Sequence, residues 1–134
     1  METSRDQELV RTAYDEWNWY GSEAFGGFLS DSVRLEDAAE IPDAGEWQGR
    51  EAVIGRLNDV AEAVGGGWVE IRAVESLGDE VLVHMLWRLD DAGEGVPVGD
   101  VVHLVALEGG KLASIRVFRS REEAQRAAGG DTAA

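Results

Sequence analysis

Val10, Ala13, Tyr14 and Trp17 recur at the three- and four-residue spacing of a single helical face, which continues as far as Gly21. Ser4 followed by Gln7 has the capping-box spacing that opens such a helix. Ala24, Phe25, Phe28 and Leu29 predict a short second helix, interrupted at Gly26 and Gly27. Val33 and Leu35 then alternate with polar neighbours, which predicts a strand ending near Asp37 and a loop turned by Pro42, Asp43 and Gly45. The helical period returns over 50–64, with Val53, Leu57, Val60, Ala61 and Val64 on one face, and stops at the glycines of 65–67.

Beyond those glycines the pattern changes to alternation or short apolar runs. Strands are predicted at 68–75, 81–89, 96–107 and 112–118, separated by turn residues at 77–79, 91–95 and 109–110, so four hairpin-linked strands form a meander. Ser120 with Glu123 makes a second capping box for a short helix up to Gly129. The remaining GGDTAA is expected to be disordered, which leaves one domain over 1–128. Helices followed by an antiparallel meander define an α+β class in which a curled sheet wraps the apolar faces of the first and third helices. A curled sheet closed by helices at one end leaves a cone-shaped cavity, a concave apolar place of the kind small ligands occupy.

Composition narrows the partners. With 134 residues, 44% of them hydrophobic, the chain can bury one core. Its formal charge of −15 repels phosphate backbones and anionic lipid, so neither nucleic acid nor membrane is expected as a partner. The absence of cysteine removes disulfides, thiolate zinc sites and a thiol nucleophile. METSRDQELV lacks the apolar run of a signal peptide, and no stretch approaches a membrane span, so a cytoplasmic location is expected. A single lysine, Lys111, beside abundant arginine, alanine, glycine and valine, points to a high-GC bacterial gene.

The acidic stretch 33–53 holds one carboxylate that differs from its neighbours. Asp37 sits at the end of a strand, where it can face a cavity and where desolvation tunes a carboxylate towards general-base work; the alternative is a residue that caps a turn. Glu40, Asp43 and Glu46 fall in a wet loop. His103, among Val101, Val105 and Leu107, points into apolar surroundings, either as a packed core residue or as a neutral imidazole able to donate from one nitrogen. His84 shares a strand face with Leu82 and Leu86 and is a weaker candidate for ligand contact. Tyr14 carries a hydroxyl on the buried helical stripe that needs a partner. Of the five tryptophans, Trp47 is expected at a cavity mouth, and Trp17 in the core or in an aromatic wall. No H-x-x-x-H spacing joins the histidines with Asp37 into a metal site, no glycine run is followed by the Lys-Ser/Thr of a phosphate loop, and no G-x-S-x-G elbow occurs. Neither a metal nor a cofactor is expected.

The "YDEWN" of the first helix, the "PDAGEWQGREAV" block entering the third and the closing "GGKLASIRVF" strand followed by "REEA" resemble the SnoaL-like branch of the nuclear transport factor 2-like superfamily, relatives of ketosteroid isomerase and scytalone dehydratase. The resemblance spans roughly residues 5 to 128 and implies a cone-shaped ligand cavity. It also implies that Asp37 lies where ketosteroid isomerase has its general base and Tyr14 where that enzyme has its oxyanion-hole tyrosine. His103 matches the third functional position, a protonated aspartate, with the turn before Lys111 one residue shorter. Where polyketide cyclases and limonene-type epoxide hydrolases carry an aspartate on the last strand, this chain has Val117.

The chain is therefore expected to act on, or only to bind, a small apolar or aromatic molecule; an interaction domain is the third option. In the enzyme reading Asp37 removes a proton while His103 and Tyr14 stabilise the oxyanion, with His84, Trp47 and Trp17 contacting the substrate. An open sheet face carrying Trp68, Ile71 or Trp87 would be a large apolar patch, so a homodimer is expected.

Overall fold

A computed structural model describes residues 2–38, 41, 44–63, 67–89 and 96–133. Glu40, the turn at Pro42 and Asp43, the glycines at 65 and 66 and the turn over 91–95 lie outside them. The elements run α1 (Glu2–Tyr20), α2 (Ser22–Gly26), β1 (Leu29–Asp37), β2 (Glu46–Gln48), α3 (Arg50–Ala63), β3 (Trp68–Leu77), β4 (Glu80–Leu89), β5 (Val96–Glu108), β6 (Lys111–Phe118) and α4 (Arg121–Ala133). No described helix is long and apolar enough to cross a membrane.

One curled six-stranded sheet, ordered β2-β1-β6-β5-β4-β3, carries the expected meander from β3 to β6. The sheet is not wholly antiparallel, because β1 pairs with β6 in parallel, Asp37 opposite Val117. That pairing follows from β1 arriving before the meander and docking beside its last strand. β1 starts at Leu29, so Leu29 joins the strand while the second helix stops at Gly26. The three-residue β2 was not expected: Trp47 stands between two polar residues, too short a run to show alternation, yet it pairs opposite Leu35. α1 begins at Glu2, which puts Ser4 inside the helix instead of at its cap.

The second capping box forms in its Ser120 half, while Glu123 reaches one residue further back than the cap. Ser120 Oγ accepts from Glu123 N at 3.1 Å, and Glu123 Oε1 accepts from Arg119 N at 3.3 Å. α4 runs on through Gly129 and Gly130 to Ala133. A glycine inside a helix costs about 1 kcal/mol relative to alanine, and no proline follows to break the run.

Strand alternation sends Leu35, Ile115, Val105 and Val81 inward in one row, where they meet Val10, Ala13 and Tyr14 of α1 and Val53 and Leu57 of α3. Truncating a residue such as Leu35, 1% exposed, to alanine would cost about 2–5 kcal/mol. The opposite face is covered in part by α4, whose Ala124 packs on Leu82, Val102 and Leu104. Of the three residues that predicted an open apolar face, only Trp68 alternates outward; Trp87 is buried and Ile71 packs on the main core. Trp68 shares that face with the Glu70–Arg88 ion pair (2.6 Å), so the patch from which a homodimer was expected is not present in that form.

The free edge of β3 is closed by α1. The Asn18 amide accepts from Val69 N at 3.0 Å and donates to Val69 O at 2.7 Å, taking the place of a neighbouring strand, while Gln7 donates to Ser76 Oγ further along. Gly67 lets the chain turn tightly into β3: its φ is +102°, and a Cβ there would stand 2.2 Å from the Arg88 carbonyl oxygen.

Candidate functional site

Between α1, α3 and the concave face of the sheet lies a cavity of about 210 Å³. Its wall is almost wholly apolar, with Trp17 from α1, Leu57 and Val60 from α3, Met85 and Trp87 from β4 and Val117 from β6. Trp17 and Trp87 meet edge to face at 6.4 Å between centroids, and Phe25 backs Trp17 at 5.3 Å. Asp37, Arg56, Asp100, His103 and Arg119 are the polar residues that line it.

Strand register explains how Asp37 and His103 reach the same space. Asp37 of β1 and His103 of β5 both lie opposite Val117 of β6, so the three side chains stand in one row on one side of the sheet. Two strand spacings separate the outer members, about 10 Å between backbones. His103 is 4% exposed and Asp37 9%.

Tyr14 does not line the cavity. It is fully buried behind His103, with its hydroxyl 2.7 Å from His103 Nδ1 and its ring tilted against Phe25 at 4.9 Å. The direct contact with a ligand expected of Tyr14 is therefore not available, and its hydroxyl meets the cavity only through the His103 imidazole. Burial raises the Tyr14 pKa above the ordinary phenol value and lowers that of His103 to about 4, in each case because the charged form would lose water. At pH 7 both partners are neutral.

Asp37 is not a lone carboxylate. Arg56 Nη2 donates to its Oδ2 at 2.7 Å, and the two side chains are 15% and 3% exposed. The guanidinium also lies over Trp47, its carbon 4.4 Å from the ring centroid. Trp47 thus braces Arg56 instead of standing at the cavity mouth. Arg56 was not among the residues expected at the site, yet the sequence carries a signal for it: it falls three residues after Val53 and four before Val60, on the apolar stripe of α3, where a charge demands a partner. By contrast, Glu46, in the same acidic stretch, makes an exposed ion pair with Arg34.

His84 is placed away from the cavity. It alternates outward on β4, opposite Val102, and its Nε2 lies 3.2 Å from Asp100 Oδ1. Sequence alternation showed that its face was shared with Leu82 and Leu86; that this face is the outer one depends on where α4 docks. Among the described residues no cluster of three histidine or acidic side chains could hold a metal ion.

Residues 10–115 match the SnoaL-like domain model, so the chain belongs to the SnoaL-like family. Among solved structures it is similar to Bal32a from a soil-derived mobile gene cassette, at 18% identity and a TM-score of 0.72, covering 88% of this chain and 91% of that one. TerC, co-crystallised with polyporic acid, matches at 17% identity and a TM-score of 0.67, over 91% and 96% of the two chains. A protein of ketosteroid isomerase-like fold from Catenulispora acidiphila, in complex with trimethylamine, matches at 19% and 0.66, over 85% and 86%. No curated protein matches the chain. At these identities the likeness establishes the fold.

Proposed function

We propose that this SnoaL-like domain binds a small, mostly apolar ring compound in the cavity between its helices and sheet. The observation that carries the reading is the join of an aromatic and aliphatic wall to a few convergent polar groups in one concave space. Size bounds the ligand. A dry cavity of about 150 Å³ takes benzene, so about 210 Å³ suits one ring with a few substituent atoms. That polyporic acid and trimethylamine were captured by relatives supports a small-molecule occupant.

A second reading, proton transfer on the bound ligand, is favoured by the Asp37–Val117–His103 row, which would place a ring over Val117 within reach of both polar residues. Asp37 Oδ2 is held by Arg56, so Oδ1 would be the oxygen that meets a ligand proton. Nothing comparable supports an interaction domain.

The test is Val117→Phe, which fills the middle of the row without replacing Asp37 or His103. One-ring aromatics should quench the intrinsic tryptophan fluorescence of the wild type saturably, through Trp17 and Trp87, and leave the variant unaffected. Equal titration curves for the two folded proteins would place binding elsewhere.

A further inference from the structure

The hydrogen bond between Tyr14 and His103 has two possible directions, and they present opposite chemistry to the cavity. In the first, the phenol donates to Nδ1, and the neutral imidazole carries its proton on Nε2. In the second, Nδ1–H donates to the phenol oxygen, and the Tyr14 proton must find another acceptor.

Among the described residues Tyr14 has no other hydrogen-bond partner, and it is fully buried. The second arrangement would leave an O–H donor stranded beyond the reach of water, which a buried hydroxyl does not tolerate without loss of stability. The first strands nothing. Nε2 is not among the buried side-chain atoms left without a partner, which among the described residues are Ser30 Oγ and the Nε atoms of Arg50, Arg56 and Arg121. Its ring lines the cavity, so an Nε2 proton stays open to whatever occupies that space.

We infer that Tyr14 is a positioning residue that locks His103 as the Nε2–H tautomer, so that His103 offers the cavity a hydrogen-bond donor and selects a ring compound bearing an acceptor oxygen of the carbonyl type. His103 in this state cannot take a proton at Nδ1 without displacing Tyr14, and its Nε2 has no free lone pair. Any base in this cavity is then a different group. The ligand half of this inference rests on the binding reading above; the tautomer half does not.

The experiment has two arms on the full chain. Long-range proton–nitrogen correlation at pH 7, with His84→Gln to assign the two imidazoles, should show His103 Nε2 as protonated and Nδ1 as unprotonated. Tyr14→Phe keeps the aromatic packing but removes the donor, so its His103 signals should move towards a mixture of tautomers. The second arm titrates acetophenone against α-methylstyrene, which replaces C=O by C=CH2 at nearly the same shape. Acetophenone should bind the wild type several-fold more tightly, and the preference should shrink in Tyr14→Phe. A wild-type Nδ1–H tautomer would overturn the inference, as would an unchanged tautomer in a folded Tyr14→Phe. Equal affinity for the two probes would overturn its ligand half while leaving the binding site intact. Failure of both probes to bind a protein with the expected tautomer would instead sink the binding reading for one-ring ligands, and the ligand half with it.

Discussion

Replacing Asp37 by asparagine removes a charge but hardly a shape, and the structure says where the effect should appear. Arg56 would keep its face on Trp47 and an amide oxygen as acceptor, but lose the anion that balances it at 2.7 Å. Removing one member of a buried pair costs about 3–5 kcal/mol. The retained acceptor and the partial exposure of Arg56, 15%, bring the expectation to about 2 kcal/mol. For a domain of this size that lowers Tm by roughly 8 °C. The assay is a urea-unfolding double-mutant cycle of Asp37→Asn, Arg56→Met and both together, with a coupling energy of about 2 kcal/mol expected. The exposed pair Arg34–Glu46, with side chains 55% and 48% exposed, serves as control and should couple by less than about 0.5 kcal/mol. A coupling for Asp37–Arg56 no larger than the control would refute the reasoning and return Asp37 to the status of an unpaired carboxylate.

The burial of His103 predicts a pH dependence. Its folded pKa of about 4 lies below the 6.5 of a free imidazole, so the unfolded chain takes up a proton that the native one refuses. The stability tied to this group is whole above pH 6.5 and is lost as pH falls towards 4, by about 3 kcal/mol in all. The carbon-bound ring protons followed by NMR should titrate near 4, and a midpoint near 6.5 would contradict the burial. Tyr14→Phe should lose about 1 kcal/mol of stability at pH 7, measured by chemical denaturation, while a loss of several times that would mean the ring itself had repacked. His84→Gln should leave ligand affinity unchanged, since His84 faces outward; a weakened titration in a folded variant would show that the outer face takes part.

Much of this architecture was legible because it rests on periods. The stripe of Val10, Ala13, Tyr14 and Trp17 and the alternation through β3 to β6 announce themselves residue by residue. What escaped depends on long-range placement. β2 is three residues long, so its existence follows from the partner it finds in β1, and the parallel docking of β1 on β6 is a choice between sheet edges that no local pattern encodes. Asp37 and His103 were both legible as candidates, one from its place at a strand end and one from its apolar neighbours. Their shared row needed the register through Val117. Tyr14 was visible as a hydroxyl in need of a partner, but the sequence could not say that the partner would be His103, 89 residues away. The apolar face expected at Trp87 was misplaced for the same reason: Trp87 belongs to the inner face because of where the bundle of helices sits, which alternation alone leaves undecided up to a flip of the sheet.

The central claim is that the cavity holds a ring-bearing ligand, and Met85 reports on it directly. The chain has two methionines, and Met85 is fully buried in the cavity wall. With both methyl groups carbon-labelled, titration with acetophenone should shift the Met85 methyl by ring current, saturably and with the same midpoint as the fluorescence change, while Met1 stays where it was. A saturable fluorescence change with the Met85 methyl unmoved would contradict the claim.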